Sequence, residues 1–118
     1  MAVITAQILH GMKAGLPPRI VGVKWETLTC GDTGSPFQVP DWMGFLSVQV
    51  FGTFNSETLT MQGSNDGTNW AALTDPQGND IALTAAKIEI IEEMPRYVRP
   101  SFSGSSGGDL DVIMIGKK

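Results

Sequence analysis

From Val21 onward, short runs rich in Val, Ile, Thr, Phe and Trp alternate with clusters of Gly, Pro, Ser, Asn and Asp. β-Branched and aromatic side chains suit a pleated, half-buried surface, and turn residues at this spacing punctuate strands rather than helices. The rhythm predicts an all-β chain with about eight strands, enough for two packed sheets in a single β-sandwich of jelly-roll or immunoglobulin-like type. Strand order does not follow from the pattern.

Alternation within each run names the expected core. In "VGVKWETLT" Val21, Val23 and Trp25 share a face while Leu28 has the opposite parity, which predicts a bulge or the end of pairing near Glu26. "GFLSVQVFGTF" places Leu46, Val48 and Val50 inward, and Phe45, Ser47, Gln49 and Phe51 on the other face. "ETLTMQG" turns Leu59 and Met61 inward and Thr58, Thr60 and Gln62 outward. In "NWAAL" Trp70 and Ala72 are expected to share a core face. "KIEIIEE" alternates Ile88 and Ile90 with Glu89 and Ile91, and "LDVIMIG" sets Leu110, Val112 and Met114 on one side. "RYVRPSF" separates Tyr97 and Arg99 from Val98, and Pro100, lacking an N–H, is expected to confine that run to an edge or a bulge.

Residues 1–20 lack the turn rhythm and end in "GLPPR", whose paired prolines favour an extended segment. They are expected to form an N-terminal arm ahead of a sandwich spanning residues 21–118. Val3, Ile4, Ile8, Leu9, Met12 and Leu16 are its apolar residues, available to bind a partner or a neighbouring copy. The competing expectation makes Ala2 to Gln7 the first strand of the sandwich.

With 118 residues the chain is long enough for one conventional core without staples. One cysteine, Cys30, and one histidine, His10, leave no disulfide framework and no zinc constellation. Cys30 is expected to be an inert thiol at a strand end. The net charge of −4, with Lys and Arg scattered singly, lacks the basic stripe of a nucleic-acid binder. No run approaches the roughly 18 apolar residues of a membrane-spanning helix, and a soluble, cytoplasmically made protein is expected. The stretch "DPQGND" lacks the ordered oxygen spacing of a calcium loop, so neither a metal nor another cofactor is expected. Glu92 and Glu93 are adjacent on a strand and point to opposite faces, while Asp109 and Asp111 share parity beside a glycine-rich loop; both pairs read as solvated charges rather than a hydrolytic carboxylate pair. There is no phosphate-cradling glycine loop and no nucleophile elbow, so an enzyme is not expected.

"GSNDGTNWAAL" carries the sharpest choice. Asn65, Asp66 and Gly67 read as a structural hairpin turn, with Gly67 at positive φ and an Asx side chain capping the backbone. The alternative is a carbohydrate-binding module in which Trp70 stacks on a sugar while Asn65, Asp66 and Asn69 bond its hydroxyls. A core-facing Trp70 would argue against it.

The combination of "QGSNDGTNW", a "DPxG" loop and "PRYVRP", over roughly the C-terminal half, resembles small virion proteins of tailed bacteriophages. "SNDGxxW" alone also resembles discoidin-type carbohydrate-binding sandwiches; its company with Met94 to Pro100 favours the phage proteins. The resemblance implies a β-sandwich decoration or cement protein, usually a homotrimer, that binds the major capsid protein on the exterior of the head. It implies no catalytic residues.

Overall fold

The computed structural model describes residues 2–9, 20–104 and 107–118. These residues form β1 (Val3–Ile4), β2 (Ala6–Leu9), β3 (Ile20–Thr29), β4 (Thr33–Gly34), β5 (Phe37–Gln38), β6 (Phe45–Thr53), β7 (Thr58–Ser64), β8 (Ala71–Ala72), β9 (Ala82–Leu83), β10 (Lys87–Ile91), β11 (Tyr97–Ser103) and β12 (Asp109–Lys117), with no helix among them. A larger sheet runs β1-β4-β11-β7-β8, with β5 also on β11 and β9 also on β7, and a smaller sheet runs β10-β6-β12-β3-β2.

The winding is that of a jelly roll. The pairs β3/β12, β4 and β5 with β11, β6/β10, and β7 with β8 and β9 are all antiparallel and nested from the outside of the chain inward. Such a roll is one long hairpin folded across two sheets, and it separates the two sandwich types that alternation alone left open.

The expected inward faces meet between the sheets. Val23, Trp25, Leu28, Leu46, Val48, Val50, Leu110, Val112 and Met114 from the smaller sheet pack against Leu59, Met61, Val98 and Phe102 from the larger, all buried. Phe54 meets Phe102 edge-on at 6.2 Å. The parity change near Glu26 is a bulge: the register jumps from Leu110 opposite Leu28 to Val112 opposite Trp25, Thr27 takes φ 59°, and its N–H donates to Asp111 Oδ1 at 2.8 Å. The one extra residue on β3 turns Leu28 back into the core.

Two expectations need correction. β11 is an interior strand, paired with β7 along its length and with β4 and β5 on its other side. Phe102 exchanges backbone hydrogen bonds with Asp32 and Gly31 on the β4 side. Residues two apart direct their backbone groups the same way, so the nitrogen of Pro100 faces the break between β4 and β5, where no ladder bond is lost.

The other correction concerns the arm. Residues 3–9 belong to the sandwich: β1 pairs in parallel with β4, and β2 pairs with β3 as the edge of the smaller sheet. Thr33 N–H donates to Ala2 O, Ser35 N–H to Ile4 O, and Ala6 N–H to Ser35 Oγ at 2.8 Å. Backbone groups at the edges of both sheets recruit this segment, which steps from one sheet to the other. The outcome favours the competing expectation of a first strand, here split between the two sheets and reaching Leu9; the two short strands show too little alternation for the sequence to have chosen between it and an arm.

Candidate interaction surface

The turn after β7 spends its polar side chains on itself. Asp66 Oδ1 accepts the N–H groups of Thr68 and Asn69, both at 2.8 Å, and Asp66 Oδ2 accepts Asn69 Nδ2 at 2.7 Å. Ser64 Oγ accepts Gly67 N–H at 2.8 Å, Gly67 has φ 78°, and Asn65 Oδ1 accepts Arg96 N–H at 3.0 Å. The N–H groups of Asn69 and Thr68, helped by the Asn69 amide and the Ser64 hydroxyl, hold the Asp66 carboxyl well below the usual carboxylate range. Gly67→Val should therefore lower the melting temperature by roughly 5 °C, the consequence of about 1–2 kcal/mol of left-handed strain, with Gly67→Asn losing less. Equal melting temperatures for Gly67→Val and the parent would refute the turn's conformational requirement.

Trp70 departs from its expected place. It is half-buried on the outer side of the larger sheet, with the Arg99 guanidinium 4.0 Å from its ring centroid and Arg99 Nε donating to Gln62 Oε1 at 2.9 Å. Leu73 enters the core instead, and Ala72 is exposed. β8 begins only at Ala71, so Trp70 still belongs to the turn and strand alternation does not reach it. A cation–π contact covers one indole face. Arg99, not burial in the core, thus keeps a sugar from stacking on that face of Trp70.

Other singled-out carboxylates also serve the scaffold. Asp75 Oδ1 accepts the N–H groups of Gln77 and Asn79 at 3.0 Å. Glu93, expected to be solvated, accepts both Thr74 N–H and Thr74 Oγ1; burial pushes its carboxyl up, but the Thr74 bonds outweigh that and hold it below the ordinary value. Cys30 follows β3 and its Sγ donates to Gly104 O at 2.6 Å; partial burial and the Glu57 carboxylate push its thiol up, which disfavours the nucleophilic thiolate. Glu57 is fully buried beneath Gly104 and Gly108, with Oε1 accepting Asn55 N–H at 3.2 Å. No three His, Cys, Asp or Glu side chains cluster as a metal site among the described residues, and His10 lies outside them.

What remains on the surface is apolar or shallow. Val3 and Ile8 are exposed on the edge strands and Ile4 packs against the core; Leu9 ends β2, while Met12 and Leu16 lie outside the described residues. The strand register assembles a second set that the sequence left dispersed: Ile90, Ser47 and Ile115 form one row across the outer face of the smaller sheet, and Ile88, Gln49 and Ile113 the next. Phe45 and Phe51 lie on the same outer face. The opposite outer face, on the larger sheet, carries Thr33, Ser101 and Thr60 in one row and Arg99 and Gln62 in another. At one end of the sandwich an open cleft of about 720 Å³ runs past Gln38, Asp41, Asn65, Met94 and Arg96.

No family model matches this chain, and no curated protein or solved structure is significantly similar to it.

Proposed function

We propose that this chain is a structural virion protein, a jelly-roll decoration protein that binds the major capsid protein on the outside of a tailed-phage head and stabilises the shell, acting as a homotrimer. One observation carries the reading: large apolar side chains, among them Val3, Ile8, Phe45, Ile88 and Ile90, stand exposed on a sandwich whose core is complete without them. Exposed apolar patches mark surfaces that other proteins cover. The resemblance of "QGSNDGTNW" with "PRYVRP" to phage virion proteins supplies the kind of partner. A module that repeats around a shell needs only modest contacts per copy, because each copy bridges several subunits.

The edge strands supply the shell contact in this reading. Val3→Asp with Ile8→Asp should leave the melting temperature within a few degrees, since Val3 is mostly exposed and Ile8 stands at the open edge of the smaller sheet, and should abolish retention on purified undecorated heads. Heads decorated with the parent protein should burst at a higher temperature than bare heads. Full retention of the double variant would remove the edge strands from the contact.

The cleft beside Asn65 favours a second reading, a carbohydrate-binding module displayed on the particle, because jelly rolls also serve as lectins and the cleft gathers the polar side chains of Gln38, Asp41, Asn65 and Arg96. The same retention assay separates the two. Binding to heads that soluble saccharides compete away supports the glycan reading; binding indifferent to them supports the structural one.

A further inference from the structure

We infer that copies of this chain meet through the outer face of the smaller sheet, with Phe45, Ile88 and Ile90 at the centre of the contact. The inference rests on the self-association in the functional reading, and it does not depend on capsid binding.

The face is built by register. β10 lies at the sheet edge beside β6, so Ile88 and Ile90 extend outward the surface begun by Phe45 and Phe51 on β6 and by Ile113 and Ile115 on β12. Phe45 is 65% exposed, Ile88 60%, Ile90 54% and Phe51 36%. Given the 150–250 Å² of an aromatic side chain and a similar scale for isoleucine, these four leave on the order of 400 Å² of apolar surface open to water. A stable interface takes about 800 Å² from each partner, a little over half of it apolar, so this one face supplies nearly the whole apolar share.

The charges on the face select a like partner over a strongly charged one. Lys24 is already answered within the chain, 3.8 Å from Glu26 and 3.9 Å from Asp111, and β12 sets Asp109 and Asp111 at one end of this face and Lys117 at the other. A surface of one sign would oppose one end of this face, whereas a second copy can set its Lys117 end against the acidic end.

The relief is self-complementary as well. Phe45 projects beside a groove of about 300 Å³ formed with Ser47, Ile90, Ile115 and Lys117. A protruding ring and an adjoining hollow on the same face let each copy lend its ring to a neighbour's hollow, a contact that rotation repeats. The outer face of the larger sheet is more polar: beside Val3 at its edge it presents the hydroxyls of Thr33, Ser101 and Thr60 and the Arg99–Trp70 stack.

Sedimentation equilibrium of the whole chain tests the assignment. The parent should sediment at a multiple of 12.6 kDa. Phe45→Glu and, separately, Ile90→Lys should weaken self-association by about thirtyfold or more, the loss expected of a central interface residue, while Ser101→Glu on the opposite face should not. Both interface positions are exposed, so circular dichroism and melting should show folded variants; where Phe45→Glu melts early, Ile90→Lys carries the test. A monomeric parent at high concentration overturns the inference, and so does undiminished association of both folded variants. Loss of head retention by these variants with a monomeric parent would assign the face to the shell and overturn it too. Head retention by a monomeric, folded variant supports it and leaves the decoration role standing, so the two ideas fail separately.

Discussion

Replacing Trp25 with alanine is expected to destabilise the domain by about 3–5 kcal/mol, the range for deleting a buried aromatic side chain. Trp25 is fully buried on the inner face of β3, and its indole N–H donates to Ser35 O at 3.0 Å. Its ring passes so near Gly34 that a Cβ there would lie 2.7 Å from Trp25 Cδ1. Alanine would leave a cavity between the sheets and an unanswered carbonyl in the segment that holds β1. Trp25→Phe keeps most of the volume and loses the hydrogen bond, so it should cost only about 1–2 kcal/mol. Urea titration reads both, with an unchanged slope marking a change in stability rather than in the compactness of either state. Equal losses for the two variants would show that the hydrogen bond, not the packing, is what matters at this site.

Deleting residues 1–9 should lower stability by about 3 kcal/mol or more and the melting temperature by at least roughly 10 °C. The segment contributes the acceptors for Thr33 N–H and Ser35 N–H, and its own Ala2 N–H donates to Asp32 Oδ1 at 3.0 Å. It also covers β3 along the pairs from Ala6 opposite Trp25 to Leu9 opposite Gly22, and it lays Ile4 and Ala6 against the core. Each hydrogen bond is worth about 1 kcal/mol net and the apolar burial adds 1–2, offset in part by the entropy of ordering nine residues. An unchanged melting temperature would identify residues 1–9 as a detachable arm after all. The surface substitutions at Val3 and Ile8 are therefore the sharper probe of shell binding, because they spare the pairing that the deletion removes.

Much of the sandwich was legible because strand alternation is a local property. Leu46, Val48, Val50, Leu59, Met61, Leu110, Val112 and Met114 point inward as their spacing requires, and even the bulge near Glu26 shows in the shifted parity of Leu28. Alternation misled where strands had not yet begun: Trp70 belongs to the turn before β8, and its ring is stacked on Arg99, a residue far along the chain. Pro100 misled for a related reason. A proline excludes only the hydrogen bond its own nitrogen would have made, and whether a neighbour stands on that side is a matter of sheet order.

By itself the sequence determined the class of fold, the inward faces of its long strands and the turn chemistry of Asn65, Asp66 and Gly67, since each follows from the residue types within a few positions. Only the tertiary structure decided the jelly-roll order, the recruitment of residues 3–9 into both sheets and the apolar face joining Phe45 to Ile88, Ile90 and Ile115. Those features depend on which strands become neighbours. Pairing is set by how the whole chain closes its core and satisfies its edge hydrogen bonds, a balance of distant contacts that no short window of residues contains.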